Sequence, residues 1–262
     1  MNKFTNQLAS SGEIANGPDA FFKNGFERLV NSPNQSELWW HNMPLPDGSR
    51  INGVSEDKDL QFKMWNAMQI ASNGGLENKC VLDIGANDGF FSLAALAAGA
   101  REVTAMDMDW GTWPKNISYA AEKWHLTPTI VTADFRTYHF RDRYDVIFFL
   151  GVFYHLENVF DCMKKLRMIL NEKGVIYLES QMSSLQVDVP IFEYSSDIYN
   201  TIARQDKASL GKVGISNYLF PNESAIMNLA HSYDFKITSL DGPDNLYTKE
   251  NPTRRLFKFS KD

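Results

Sequence analysis

Between residues 80 and 260 the sequence alternates short apolar runs with amphipathic stretches, and this alternation limits the fold more than any other feature. Strand-like runs are predicted at 80–85, 101–107, 129–134, 143–151, 175–180, 236–240 and 254–260. Helical stretches are predicted at 90–98, 110–126, 155–170 and 221–235. Strands that alternate with helices form right-handed βαβ units around a mainly parallel sheet. We therefore predict an α/β fold with a Rossmann-like, doubly wound, seven-stranded sheet.

The remaining segments predict additions to this sheet. Residues 1–70 precede it and are expected to form an N-terminal cap, and residues 71–262 are expected to form the main domain. Residues 181–220 follow the fifth strand and are too long for a plain connection, so we expect a lid there. Its aromatic residues either wall a pocket or form a small core of their own: Phe192, Tyr194, Tyr199 and Tyr218.

Charge and cysteine content limit the possible partners. The chain of 262 residues has a net charge of −6, and its one basic cluster lies near the end, from Arg254 to Lys261. This pattern argues against a broad nucleic-acid surface. The two cysteines, Cys80 and Cys162, have neither a disulfide pattern nor zinc-ligand spacing, and no metal site is predicted. We also find no run of about 18 apolar residues and no signal peptide, and so expect a cytoplasmic protein without a membrane anchor.

The stretch CVLDIGANDGFF (80–91) places a polar, glycine-containing turn after the first buried strand. Ligands bind beyond the carboxyl ends of strands in such sheets. A dinucleotide fingerprint that starts at Gly85 would need glycines at Asn87 and Phe90, and no Gly-Lys-Ser/Thr follows for a phosphate loop. An acid at Asp83 disfavours a pyrophosphate and favours a cationic ammonium group. The alternative is that Asp83 only caps a helix or a turn, which leaves Asp107, at the end of the second strand, unexplained.

The segment VLDIGANDGFFSLAALAAGAREVTAMD (81–107) resembles the first two strands of class I S-adenosylmethionine-dependent methyltransferases. The resemblance implies that S-adenosylmethionine is the cofactor and that the turn lies under its methionine part. It implies that the carboxylate of Asp107 binds both ribose hydroxyls. The implied cofactor residues are Asp83, Gly85, Asn87, Gly89, Asp107, Met108 and, around the adenine and the sulfonium, Asp134, Phe135 and Leu150. Asp134 could also be an ordinary loop acid.

Two further motifs, LWWHNMPLPDGSRING (38–53) and GVFYHLEN (151–158), are similar to the branch of tRNA wobble-uridine methyltransferases and carboxymethyltransferases. Its carboxymethylating members hold a carboxylated cofactor with a lysine, with the tyrosine of Tyr-His and with an arginine near the C-terminus. This chain has Tyr154 and either Arg254 or Arg255, but Asp47 stands where the lysine is expected. Because an acid repels a carboxylate, the expected cofactor is ordinary S-adenosylmethionine.

Methyl transfer requires an aligned nucleophile, and a base only where the acceptor must lose a proton. The candidate catalytic residues near the strand ends are Tyr154, His155 and Glu179, with His41 from the N-terminal segment. Each has a structural alternative: His155 could begin a helix, Glu179 could bind a neighbouring amide, and His41 could be a packing residue.

Three functions remain open from the sequence. The first, which the acidic charge and the compact length favour, is methylation of a small-molecule acceptor. The second, which the resemblance favours, is methylation of the wobble uridine of tRNA. The third is a cofactor-binding protein without turnover. The oligomeric state is not predicted.

Overall fold

The computed structural model describes residues 28–30, 39–54, 60–72, 75–108, 113–185, 187–194, 219–240 and 253–261. Two tyrosines of the predicted lid, Tyr199 and Tyr218, lie outside these ranges, as do most of the lid and residues 1–27 of the predicted cap. The structure therefore tests neither the boundaries of the cap nor those of the lid, and both stay predictions.

The described strands are β1 Arg28–Val30, β2 Met43–Pro44, β3 Ser49–Ile51, β4 Cys80–Ile84, β5 Glu102–Asp107, β6 Thr129–Thr132, β7 Tyr144–Leu150, β8 Leu170–Gln181, β9 Phe192–Tyr194, β10 Leu219–Pro221, β11 Phe235–Ser239 and β12 Arg254–Lys261. The described helices are α1 Leu60–Ser72, α2 Phe90–Ala97, α3 Trp113–Trp124, α4 Val159–Ile169 and α5 Glu223–Ser232. A 3₁₀ turn spans Phe153–His155.

Seven strands form the central sheet in the order β11-β12-β8-β7-β4-β5-β6. Strands β8, β7, β4, β5 and β6 are parallel, and β12 runs antiparallel to both of its neighbours. Strand β4 lies between β5 and β7: β5 and β6 extend the sheet on one side of it, and β7 and β8 extend it on the other. The topological switch point is therefore at β4. The prediction of a doubly wound, seven-stranded α/β fold is confirmed.

The largest differences from the predicted elements are two starting residues: β8 begins at Leu170 rather than at residue 175, and α4 begins at Val159 rather than at His155. Asn158 is the reason for the later start of α4, because its side-chain Oδ1 accepts a hydrogen bond from the Asp161 N–H at 3.1 Å and caps the helix. The residues before it form the separate 3₁₀ turn. This break leaves Tyr154 and His155 at the end of β7 instead of within a long helix.

Two apolar layers cover the sheet. One contains α1, α2 and the N-terminal residues Trp39, Met43 and Ile51, and the other contains α4, α5 and the inward side chains of β12. The N-terminal residues are joined to the domain by the Trp124 indole, whose Nε1–H donates to the Pro44 carbonyl at 2.8 Å. Among the described residues, no helix is both long and apolar enough to cross a bilayer.

Candidate cofactor and active site

The turn after β4 has a backbone that only glycine accommodates at two positions. Gly85 and Gly89 have φ of 75° and 83°, in the left-handed region. A Cβ atom at Gly85 would lie 2.3 Å from Val152 Cγ2, and one at Gly89 would lie 2.3 Å from Ile117 Cγ1. The two glycines therefore let the backbone of the turn pack tightly beneath the strand ends.

Asp107 lies at the end of β5 beside this turn. Its Oδ2 accepts the main-chain N–H of Asn87 at 2.9 Å, and its Oδ1 accepts that of Met108 at 2.8 Å. Each oxygen of a carboxylate can accept more than one hydrogen bond, so this arrangement fixes the carboxylate and leaves it able to bind hydroxyl groups. The next side chain, Met108, is 37% exposed and lies at the same edge.

Asp83 is buried at the end of β4, where Ser92 Oγ donates a hydrogen bond to its Oδ2 at 2.6 Å. The pKa of Asp83 is raised to about 7, chiefly by burial and also by the negative charge of Asp107, while the Ser92 hydrogen bonds lower it. A cationic group nearby would stabilise the ionised form of this carboxyl.

Asp134 and Phe135 follow β6. Arg136 holds Asp134 through two contacts, with Nε 3.0 Å from Oδ1 and Nη2 2.7 Å from Oδ2, and these hydrogen bonds lower the pKa of Asp134. The ring of Phe135 is 6% exposed and packs 5.7 Å from the ring of Phe149, centroid to centroid. A contact between Phe135 and an adenine would therefore have to use its main chain.

A second polar cluster lies where β7 and β8 end. Leu150, the last residue of β7, is buried and precedes Gly151. Tyr154 and Glu179 meet there through Arg254, whose Nη2 donates to Tyr154 Oη at 3.1 Å and to Glu179 Oε2 at 3.0 Å. The Arg254 Nε bonds Glu179 Oε1. The side chain of Glu179 is 0% exposed, so this ion pair is buried on the glutamate side.

The cluster also resolves which arginine faces the site. Arg254 contacts Tyr154 and Glu179, whereas Arg255 donates to the Arg254 carbonyl at 2.9 Å. Burial raises the pKa of Tyr154, and the positive charge of Arg254 opposes this effect. His155 is half-buried, and its ring lies 4.2 Å from the ring of Tyr154, centroid to centroid. Its main-chain N–H bonds the Val152 carbonyl within the 3₁₀ turn.

His41 approaches the glycine turn from the N-terminal segment. Its main-chain N–H donates to Asp88 Oδ2 at 2.9 Å, and its ring lies 6.2 Å from the ring of Phe91. Burial lowers the pKa of His41 to about 4, which leaves the imidazole neutral at pH 7. Within the described part of the chain, its Nδ1 is buried and has no hydrogen-bond partner.

Sequence reasoning did not single out Asp88 as a structural residue. The carboxyl is buried and accepts hydrogen bonds from the N–H groups of Trp40 and His41 and from Asn116 Nδ2. The sequence signal that could have indicated this role is the presence of Asp88 as a second acid, after Asp83, in the glycine turn. Asp47, by contrast, is exposed in the turn between β2 and β3, where its Oδ1 accepts the Ser49 N–H at 2.9 Å.

A metal site is not apparent in the same ranges. No group of three or more His, Cys, Asp or Glu side chains among the described residues is placed to hold a metal ion.

The sequence profile of a methyltransferase domain matches residues 67–240. The chain belongs to this methyltransferase family. The match covers six of the seven strands of the central sheet, the glycine turn, and Tyr154 and Glu179 of the second cluster, whereas Arg254 on β12 lies outside it. The predicted class I, S-adenosylmethionine-dependent methyltransferase is confirmed.

Two kinds of relatives support the same family. The chain is 24% identical to a tRNA U34 carboxymethyltransferase of Campylobacter concisus over 177 residues, which cover 64% of this chain and 53% of that protein. It thus matches about half the length of that relative. Among solved structures, it resembles an S-adenosylmethionine-dependent methyltransferase from Mesorhizobium loti, with a TM-score of 0.55, 15% identity, and coverage of 75% of this chain and 97% of that one.

A third comparison is with magnesium protoporphyrin IX methyltransferase from Synechocystis with bound SAH. The TM-score is 0.52 at 16% identity, with coverage of 78% of this chain and 83% of that chain. At such identities the two structures establish the shared fold, and the acceptor of this chain has to be argued from its own residues.

Proposed function

We propose that this methyltransferase transfers a methyl group from ordinary S-adenosylmethionine to a small-molecule acceptor. The observation that carries the choice of cofactor is the buried ion pair of Arg254 and Glu179. The proposal assigns roles to the residues at the strand ends from the contacts described above and, around the adenine, from the resemblance to class I methyltransferases.

The residues at the ends of β4 and β5 fit the cofactor. Asp107, fixed by the main chain of Asn87 and Met108, has acceptor oxygens suited to two vicinal ribose hydroxyls. Asp83 offers a buried carboxyl to an ammonium group, which would lower the raised pKa of that carboxyl. Gly85 and Gly89 keep Cβ atoms out of the turn. Asp134 would bind the adenine edge, together with the main chain of Phe135, and Met108 would cover the adenine.

The ion pair argues against a carboxylated cofactor. In the carboxymethylating enzymes that the sequence resembles, a tyrosine, an arginine and a lysine hold the additional carboxylate. Here the guanidinium of Arg254 contacts Tyr154 but is bound at two positions by the buried carboxylate of Glu179. An arginine whose charge is already balanced attracts a further carboxylate weakly, and Asp47 replaces the lysine with an acid.

S-adenosylmethionine supplies an electrophilic methyl group that an aligned nucleophile takes by in-line displacement. Leu150, at the end of β7, and the buried ring of Tyr154 limit the access of water to this edge of the sheet. Exclusion of water strengthens the electrostatic interactions that position the reacting groups.

The candidate bases differ in suitability. Glu179 is a poor base because both of its carboxylate oxygens already accept hydrogen bonds from Arg254, so we assign it the positioning of Arg254 and Tyr154. His41 is neutral, and its buried Nδ1 can accept a hydrogen bond from a hydroxyl or amine of the acceptor. His155 is the second candidate, because its half-buried ring lies against Tyr154 at the same strand end.

Part of the predicted lid flanks this site. Strands β9 and β10 pair antiparallel, and β10 contacts both β8 and the 3₁₀ turn that carries Tyr154. Phe192 and Leu219 of these strands pack against the apolar layer beneath. Together with the net charge of −6, a site flanked by these apolar strands favours a small acceptor over a large polyanion.

The curated relative supports a second candidate, because it is named for the wobble uridine of tRNA. A methyl-transfer assay separates the two. The protein is incubated with methyl-labelled S-adenosylmethionine and either a small-molecule filtrate or total RNA from the same cells, with the Asp107→Ala variant as the negative control. The proposal predicts label in the filtrate that depends on Asp107. Label in RNA and none in the filtrate would overturn it in favour of tRNA.

A further inference from the structure

Asp88 joins the cofactor turn to a segment far away in sequence. Its Oδ2 accepts the main-chain N–H groups of Trp40 and His41, the latter at 2.9 Å. Its Oδ1 accepts Asn116 Nδ2 at 2.9 Å. The carboxyl is 1% exposed, so these contacts replace water around a buried acid. Residues 39–42, called here the 39–42 segment, thus contact the turn through the main-chain N–H groups of Trp40 and His41.

The opposite side of the 39–42 segment is fixed to the N-terminal part of the chain. Asn42 accepts the Gly53 N–H on its Oδ1 and Gln61 Nε2 on its main-chain carbonyl, both at 2.9 Å. A Cβ atom at Gly53 would lie 2.4 Å from the carbonyl carbon of His41, so the two backbones are in direct contact. The segment is therefore held between the N-terminal part of the chain and Asp88 on the cofactor turn.

Asp88 follows Asn87, whose main-chain N–H is bonded to Asp107. Two successive residues of one turn therefore contact the proposed ribose-binding carboxylate and the 39–42 segment. We propose that Asp88 is a positioning residue that couples the docking of the 39–42 segment to cofactor binding. This inference rests on the proposed function, because it takes Asp107 as part of the cofactor site.

The coupling has a physical basis in the short connection between these contacts. A movement of the turn that changes the Asn87 to Asp107 hydrogen bond also moves the Asp88 carboxylate against Trp40 and His41. If the segment departs, the carboxylate loses two hydrogen bonds to fixed main-chain donors and must exchange them for water. Coupling between two binding events is reciprocal. The docked segment should therefore raise the affinity for the cofactor by the same factor by which bound cofactor raises the equilibrium constant for docking of the segment.

The test is hydrogen–deuterium exchange of residues 39–42, measured with and without S-adenosylhomocysteine and combined with calorimetric titration of the same ligand. Asp88→Ala removes the acceptor oxygens, and Asp88→Asn retains one of them. Asp145→Asn is the matched control. Asp145 accepts the Cys80 N–H at 2.9 Å and Asn171 Nδ2 at 2.8 Å, at the opposite end of β4 from the turn.

In the native protein, S-adenosylhomocysteine should slow exchange of the 39–42 amides by about 5-fold or more. In Asp88→Ala, exchange without ligand should be faster, the ligand should no longer slow it, and affinity should fall by a similar factor. Asp88→Asn should give exchange and affinity between those of the native protein and Asp88→Ala. It also provides the test if Asp88→Ala fails to fold. Asp145→Asn should behave as the native protein does.

Two results would overturn the proposal. One is equal protection by ligand in the native protein and in both Asp88 variants. The other is binding of ligand to the native protein with no change in exchange at residues 39–42. Absence of any binding to the native protein would contradict the cofactor assignment as well, so the failure of the coupling alone and the failure of the proposed function give different results.

Discussion

The main-chain N–H of Asn87 and the Oδ2 of Asp107 are 2.9 Å apart and form a hydrogen bond between the glycine turn and the end of the neighbouring strand. This contact and the one from the Met108 N–H hold the carboxylate of Asp107 in one orientation. Preorganisation of this kind reduces the cost of ordering side chains on binding. The proposed cofactor site at the two strand ends is therefore positioned by the main chain of the protein itself.

The two close contacts of the turn make it intolerant of side chains. Gly89→Ala should lower the free energy of unfolding by about 1 kcal/mol because an alanine is strained at a φ of 83°. The overlap of its Cβ with Ile117 should lower it further. Gly48→Ala is the control, because Gly48 has a φ of 80° but no atom within 4 Å of the added Cβ. Denaturant unfolding measures both variants. Equal destabilisation would show that the packing against Ile117 contributes nothing.

The buried carboxyl of Asp83 should make stability depend on pH. Burial raises its folded pKa from 3.8 to about 7, so the folded protein holds this proton more tightly than the unfolded chain does. The contribution is fully present below about pH 4 and is lost as the pH rises through about 7. Asp83→Asn removes this pH-dependent contribution. As the pH rises from about 4 to about 7, the variant should therefore gain stability relative to the native protein, by up to a few kcal/mol.

Asp145→Asn is the control for this measurement, with the opposite expected sign. Burial raises the pKa of Asp145, but hydrogen bonds from Cys80 and Asn171 lower it more, so its carboxylate stabilises the fold as the pH rises. The Asn variant should lose stability relative to the native protein over the acidic range. Unfolding free energies from about pH 2 to about pH 8 measure both trends, because the Asp145 contribution is lost as the pH falls below the ordinary pKa of 3.8. A difference between native protein and Asp83→Asn that is constant with pH would contradict the account of Asp83.

The pair of Glu179 and Arg254 should set the preference for the cofactor. Ligand released from the purified native protein and identified by mass spectrometry should be S-adenosylmethionine or S-adenosylhomocysteine. Glu179→Gln leaves the guanidinium of Arg254 without its balancing charge. Competition binding should then show affinity for the carboxylated cofactor, relative to S-adenosylmethionine, increased about tenfold.

Glu193→Gln is the matched control, because Glu193 lies on strand β9 and accepts a hydrogen bond from Ser183 Oγ at 2.6 Å. This variant should keep the native preference. Recovery of the carboxylated cofactor from the native protein would contradict the assignment of ordinary S-adenosylmethionine.

The sequence predicted the sheet well because its strands are defined by local patterns. The apolar run of β7 and the stop at Gly151, for example, depend on residues that are neighbours in the chain. The predicted start of α4 was wrong, because the capping side chain of Asn158 outweighs the helical periodicity of the residues before it.

The site was predicted less completely, because its polar contacts join distant parts of the chain. Asp88 contacts Trp40 and His41, and Arg254 contacts Tyr154, and no local pattern reports either contact. The resemblance to known methyltransferases pointed to Asp107 and Tyr154, whose roles stay predictions, but it could not distinguish Arg254 from Arg255. That distinction follows from the register of β12 against β8, which pairs Arg254 with Gln181 and Arg255 with Ser180.

Titration calorimetry of S-adenosylhomocysteine against the native protein and Asp107→Ala tests most directly the claim that the ends of β4 and β5 form the cofactor site. Glu102→Ala, at the other end of β5, is the control. The account predicts binding to the native protein and to Glu102→Ala, and a loss of about 1–3 kcal/mol in Asp107→Ala, because its contact with the ribose is removed. Equal affinity of Asp107→Ala and native protein would contradict it.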